Sequence, residues 1–335
     1  LPLVLPELEE YKGKNGQAPL ENAEDWKHIE RNGVKGKRET STMPGSAGSS
    51  WYFMRYIDPN NDKEICDPEL LKHWLPVDLY VGGPEHAVGH LMYSRIWNRY
   101  LYNKGLVPTK EPFKKLVHQG MILGSNGIKM GKRFPEFVVN PSDIVRDYGA
   151  DTLRLYEMFM GPLEASKPWN NQGVEGAKRF LSRVWNFFTD ESKINDSKYA
   201  ELEKIYNVTI RKVSTDFENL AFNTAISQMM IFVNAVYKAD SCPKEFAEGL
   251  IRALSPIAPH ICEEIWEMFG HTETIAFESW PTYDEAKCVD DEVEIAVQIN
   301  GKVREKLVVS AEATQEEAIA AAKANEKIAA AIDGM

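Results

Sequence analysis

Val77-Asp78-Leu79-Tyr80-Val81-Gly82-Gly83-Pro84-Glu85-His86-Ala87-Val88-Gly89-His90 is a short apolar run that ends in glycines and passes into a helical pattern lasting to about Lys104. The run reads as a buried strand with its exit turn, and Val117 to Leu123 reads as a second strand beyond the helix. Strand, helix, strand is the unit of a parallel nucleotide-binding sheet, where ligands collect at the carboxyl ends of the strands. Gly82 and Gly83 let the backbone approach a ligand closely, and the first helical N–H groups face it. Glu85 in that turn is equally a dipole partner of the helix. His86 and His90, four apart on one face, are equally a metal pair or satisfied core histidines.

Beyond the second strand comes Lys129-Met130-Gly131-Lys132-Arg133, on a loop flanked by Gly124 and Gly127. Two lysines three apart can bring two ammonium groups to a polyphosphate. Cations aimed at a leaving pyrophosphate stabilise the transition state more than the bound nucleotide. The plain alternative is a solvated basic loop. From Lys110 to Arg133 six Lys and Arg residues face one anion, Glu111, in a chain of net charge −11. The overall charge argues against non-specific nucleic-acid binding by the whole surface, but not against local basic faces.

With 335 residues, 43% apolar and 27% charged, the chain has room for two or three cored domains of a soluble globular protein. It has no apolar run near the about 20 residues of a membrane span, and no basic segment leading into a signal-peptide core, so it reads as cytoplasmic with no membrane partner. Cys66, Cys242, Cys262 and Cys288 are far apart and lack His partners at metal spacing. They read as buried or incidental thiols, with no metal site. The chain opens without Met on an extended Pro-punctuated segment, as a piece of a longer protein would.

Residues 1–40 read as an extended connecting segment. From Asn140 a helix is expected, with Pro141 in the first turn and Asp143 at the positive end of the dipole. From about Gln172 to Gly270 apolar residues recur at helical spacing, as in Phe180, Val184, Phe187 and Phe188, or Met229, Met230, Phe232, Val233 and Val236. These stripes predict the core of a helical bundle. The tail alternates from Glu292 to Gln298, turns at Asn300-Gly301, alternates back to Val309, and continues as Ala-rich helix from Ala311 to Ile332. The fold class is therefore multidomain: α/β, with a Rossmann-type parallel sheet, then an all-α bundle, then a small α+β unit.

The 129–133 stretch, with Val138-Val139-Asn140-Pro141 and Tyr148-Gly149-Ala150-Asp151-Thr152-Leu153-Arg154 behind it, resembles the KMSKS loop of class I aminoacyl-tRNA synthetases in its leucyl-tRNA synthetase form. Lys129 and Lys132 match the family's catalytic lysines. Gly131 and Arg133 stand where serines are usual, and Phe134-Pro135-Glu136-Phe137 replaces a shorter linker. The 82–90 segment is similar to the family's adenylate site, which implies that Gly82, Gly83, Glu85 and His90 bind ATP and adenylate, with Glu85 and His90 toward the ribose. The same resemblance puts His86 at the leucine side chain. Ser49-Ser50-Trp51-Tyr52-Phe53-Met54-Arg55-Tyr56 also resembles the family and implies Tyr52 in the amino-acid pocket, though Ser46 stands where an aromatic is usual. His118-Gln119-Gly120-Met121-Ile122-Leu123 implies Met121 and Ile122 beside adenine, or else plain strand core.

Ser255-Pro256-Ile257-Ala258-Pro259-His260 resembles the anticodon-binding helices, where its part is structural. Val297 to Arg304 resembles the start of a tRNA-contacting C-terminal domain. Arg179 and Arg183 beside Lys178, and Lys302 with Arg304, are the expected tRNA contacts. The resemblance divides the chain into residues 1–40, a catalytic-domain half at 41–135, a helical junction at 136–170, an anticodon-binding domain at 171–285 and a partial C-terminal domain at 286–335. It implies attachment of leucine to tRNA(Leu) through a leucyl-adenylate, with ATP and Mg2+ as substrate and ion. The family's H-x-G-H element is absent, which implies a missing N-terminal half as partner. The alternatives are a subunit of a split synthetase, a noncatalytic tRNA-binding module and, third, a valyl- or isoleucyl-specific relative.

Overall fold

The computed structural model describes residues 3–13, 15–41, 46–195, 200–288, 292–310 and 313–333. The chain is helix-rich with small sheets and divides into two compact units, Leu1–Gly120 and Met121–Met335.

In the first unit an antiparallel hairpin, His28–Arg31 with Val34–Lys37, turns at Asn32-Gly33, both in the left-handed region at φ 55° and 76°. Periodicity gave no sign of it, because the strands are almost wholly exposed and have no apolar face to alternate. Asn-Gly was the available signal. Glu21 ties the hairpin down: its carboxylate accepts from Thr40 Oγ1 at 2.6 Å and from Lys37 Nζ at 2.9 and 3.0 Å.

Tyr80–Val81 pairs in parallel with Leu116–Val117, and the helix Met92–Asn103 lies between them in sequence. The ladder is longer than these short strands, since Val77 N–H donates to Pro112 O at 2.9 Å and Gly82 N–H to Val117 O at 3.0 Å. Phe53, Met54, Leu71, Leu75, Leu101 and Val107 form the core against it. The expected single strand from Val117 to Leu123 is two strands. The ladder to Tyr80–Val81 stops where the His118 ring takes the Gly82 carbonyl, at 2.8 Å. Ile122–Leu123 belongs to the second unit and pairs in parallel with Lys167–Pro168. Every sheet among the described residues is two-stranded.

The second unit is built on helices Pro141–Tyr148, Ala150–Phe159, Asn171–Phe188, Ala200–Glu218, Phe222–Ala239, Lys244–Leu254 and Pro259–Met268. Asn140 caps the first by accepting from Ser142 N–H, with Pro141 in its first turn. Phe180, Val184, Phe187, Phe188, Met229, Phe232, Val233 and Val236 are all buried in one core, and Met230 packs against it. The tail forms the expected hairpin, Glu292–Ile299 with Lys302–Ser310, turning at Asn300-Gly301. The Ala-rich stretch is two helices, Gln315–Ala324 and Glu326–Asp333, because Asn325 leaves the helical region at ψ 123° and caps the second by accepting from Lys327 and Ile328 N–H. All four cysteines are free and buried.

Candidate active site

In the first unit a cleft of about 570 Å3 opens at the end of Tyr80–Val81, lined by Tyr52, Gly82, Gly83, Glu85, His86 and His90 together with Ser46, Ser49, Tyr80 and Gln119. All six residues expected there from 52 to 90 thus meet in one place. The chain after the strand first makes a 3-10 turn, Pro84–His86, then a wide π turn, Ala87–Leu91, before the α-helix. Single π turns inside helices recur at functional sites, where they re-aim side chains. Here the turn sets the His86 and His90 rings perpendicular, with centroids 6.3 Å apart.

Glu85 and His86 are exposed polar groups of the cleft, with side chains 43% and 54% exposed and His86 Nε2 3.7 Å from Glu85 Oε1. The Glu85 carboxylate folds back over Gly83, in the space a Cβ would fill. A Cβ on Gly82 would meet nothing within 4 Å, so the space beside this residue is open to a ligand.

His90 is held differently. Its Nε2 lies 2.6 Å from the Tyr80 hydroxyl, which lies 2.8 Å from the Tyr52 hydroxyl, while its Nδ1 lies 3.2 Å from Ser49 Oγ. Burial, reinforced by His86, lowers the His90 pKa from its ordinary value. Burial and the Tyr52 hydrogen bond push the Tyr80 phenol up. Tyr80 stacks face to face on Phe113 at 3.9 Å. Tyr80, Ser49, His118 and Gln119 carry no site signal of their own in the sequence. An aromatic in a strand run reads as core, and nothing local distinguishes Tyr80 from Trp51 or Phe53.

In the second unit a tight turn carries the lysine loop. Gly127 N–H donates to Gly124 O at 2.8 Å, Gly124 N–H to Ile128 O at 2.8 Å, and Leu123 bridges to Lys129. Gly127 is left-handed at φ 74°. A Cβ on Gly124 would lie 2.9 Å from Phe137 Cβ, so the turn requires glycine there. Met130 anchors the loop by packing on the core and accepting Val139 N–H on its sulfur at 3.4 Å. Lys129 and Lys132 are exposed, and among the described residues no carboxylate pairs with either. Ile122 packs on the same core, and Met121 exchanges hydrogen bonds with Ser166 and Lys167.

The expected tRNA contacts differ in character. Lys178 and Arg179 are exposed on the Asn171–Phe188 helix, Lys178 donating to Tyr148 O at 3.2 Å. Arg183 is engaged, with its guanidinium 4.5 Å over the Tyr237 ring and 2.8 Å from Asn234 Oδ1. Lys302 and Arg304 are exposed on the tail hairpin, where a bulge between Val303 and Glu305 leaves Arg304 without a cross-strand partner. No described helix is long and apolar enough to cross a membrane.

Comparison with known proteins converges on this architecture. Residues 52–166 match the family described as tRNA synthetases class I (I, L, M and V), and residues 200–320 match the anticodon-binding domain of tRNA ligase. A LeuRS of Agrobacterium radiobacter, solved as a ternary complex with tRNA and LeuAMS, superposes with a TM-score of 0.79 at 30% identity, over 99% of this chain and 45% of that one. The chain thus spans less than half the length of that relative. Methionyl-tRNA synthetase of Mycobacterium tuberculosis, in complex with methionyl-adenylate, gives a TM-score of 0.47 at 14% identity over 60% of this chain and 46% of that one, too weak to bear on the amino acid.

Proposed function

We propose that this chain, which belongs to the class I tRNA synthetases (I, L, M and V) and carries their anticodon-binding domain, is part of a leucine–tRNA ligase. The observation that carries the choice of leucine is the superposition of nearly the whole chain on a leucyl-tRNA synthetase. The reaction activates leucine with ATP, releases pyrophosphate and passes the leucyl group to the terminal ribose of tRNA(Leu).

Positioning and electrostatics supply such a reaction. Lys129 and Lys132, held forward by the anchored Met130, stabilise the charge that grows on the leaving pyrophosphate. Glu85 accepts the ribose hydroxyls, and the free space beside Gly82, which has no side chain, admits the nucleotide. Tyr52 and His86 border the leucine side chain, and His90 serves the site through its bonds to Tyr80 and Ser49. Mg2+ comes with ATP as a substrate ion that screens its phosphates. Among the described residues no three His, Cys, Asp or Glu gather into a site for it. The basic residues of the Asn171–Phe188 helix and the tail hairpin contact tRNA phosphates.

Leucine-dependent exchange of pyrophosphate into ATP tests the reading, measured on this chain and on the product of the complete reading frame that contains it. Exchange by the full product and none by the chain alone is expected. Exchange driven by isoleucine or valine instead would overturn the choice of leucine. Exchange that needs a separately encoded second protein would establish the split-subunit form.

A further inference from the structure

We infer that Tyr80 is a positioning residue: its hydroxyl joins Tyr52 to His90 in a one-way hydrogen-bond chain that holds the His90 ring neutral and protonated on Nδ1. The Tyr52–Tyr80–His90 wall of the cleft then has no hydrogen-bond donor left for a ligand. The inference deepens the reading of the cleft as the amino-acid and adenylate site, and rests on that reading only for the nature of the ligand.

The direction of the chain follows from its serine end. Ser94 Oγ, in a fully buried residue, donates its one proton to the His90 carbonyl at 2.8 Å, so toward Nδ1, 3.5 Å away, it can only accept. Ser49 Oγ donates to the Ser46 carbonyl at 3.3 Å and likewise only accepts from Nδ1 at 3.2 Å. Two acceptors facing Nδ1 call for a proton on it. A neutral imidazole carries one proton, so Nε2 is bare and takes the Tyr80 proton across 2.6 Å. With its proton spent, Tyr80 receives the hydroxyl of Tyr52 at 2.8 Å. Burial favours neutral His90 and protonated Tyr80, the states this arrangement needs.

Both His90 ring nitrogens are therefore used by the protein, and the polar groups left for a ligand lie elsewhere in the lining, Glu85, His86 and Gln119 among them. An apolar ligand group meets the tyrosine–histidine wall without loss. A carbonyl or carboxylate placed against that wall loses its water and finds no donor on it, which disfavours isosteres of leucine that bear one.

The tautomer is directly observable. Long-range proton–nitrogen spectra of the full 335-residue chain, labelled at its seven histidines, would be assigned for His90 by loss of its signals in His90→Asn. The expected pattern is a protonated Nδ1 and a bare Nε2. Tyr80→Phe removes the donor to Nε2 and is expected to shift His90 toward the Nε2-protonated form, while His86 keeps its signals. A proton on Nε2 in the unaltered chain overturns the inference, and so does a folded Tyr80→Phe variant whose His90 signals stay in place. The unaltered chain decides the tautomer even if a variant fails to fold. The readout needs no ligand, so failure of the leucine assignment in pyrophosphate exchange is a separate result.

Discussion

Asp151 caps a helix that begins more than a hundred residues later. Its Oδ2 accepts Ile261 N–H at 2.7 Å, and its Oδ1 accepts the His260 ring nitrogen at 2.7 Å. The helix Pro259–Met268 has Ala258 at its own cap position and no side-chain cap of its own, so Asp151 supplies the missing acceptor from the neighbouring helix. Arg154, one turn on, donates to Pro256 O and Ile257 O at 2.8 and 3.0 Å. The Pro-rich joint is thus held from a single helix face, which gives the 255–260 stretch its structural role.

Asp151→Ala should lower stability by about 1–3 kcal/mol, the range for losing a cap and a buried acceptor of several hydrogen bonds. Asp151→Asn, which keeps one acceptor oxygen, should lose less. Urea unfolding of the whole chain reads both. Equal midpoints for Asp151→Ala and the unaltered chain would rule out the cap.

Gly249→Ala should destabilise although alanine is the better helix former. A Cβ there would overlap the Tyr206 hydroxyl and sit 2.7 Å from its Cζ, and Tyr206 is buried, stacked on Phe246 at 4.3 Å. Overpacking costs roughly 1–3 kcal/mol, against about 1 kcal/mol gained in propensity. Adding Tyr206→Phe, which removes the nearest atom, should recover part of the loss in thermal unfolding. A more stable Gly249→Ala would show that the ring moves aside freely.

Lys132→Ala in the catalytically active protein should slow adenylate formation by about 10²–10³, or roughly 2.7–4 kcal/mol, with little change in leucine affinity. Lys129→Ala should act in the same sense. Single-turnover pyrophosphate release measures the rate. A raised leucine requirement at an unchanged rate would assign the lysine to binding instead.

The chain should bind tRNA weakly and lose affinity with a shallow log-log slope in salt, because few phosphates are neutralised. Arg304→Ala and Arg179→Ala should each reduce that slope by about one contact at unchanged stability. Arg183→Ala should also destabilise, since Arg183 is stacked on Tyr237. Filter binding across a salt series checks this, and a slope indifferent to all three substitutions would place the RNA elsewhere.

The N-terminal hairpin should loosen in acid before the bundle does. Glu21 is held at about 2, below its ordinary 4.5, by the hydrogen bonds of Thr40 and then Lys37. A carboxylate with a lowered folded pKa contributes stability above its unfolded pKa and loses it as the pH falls from about 4.5 toward about 2. Amide exchange of residues 28–37 should rise through that window. In Thr40→Val the rise should begin at higher pH, and an unmoved profile would remove Thr40 as the cause.

Local signals carried much of this architecture. Stripes at Phe180, Val184 and Phe232 predicted the bundle, because a helix buries one face and must repeat its apolar residues at the helical period. Asn300-Gly301 predicted the tail hairpin, because two left-handed residues fit its turn, and the 82–90 segment predicted the cleft, because a strand ending in glycines opens onto a helix N-terminus. Tertiary structure alone decided what depends on distant partners. It divided Val117–Leu123 between two units, since strand pairing is made by residues far apart in sequence. It set Asp151 on Ile261, and it joined Tyr52, Tyr80, His90 and Ser49 into one hydrogen-bonded chain. No local pattern encodes such meetings, because each side chain has a complete alternative reading as core or surface until packing supplies its partner.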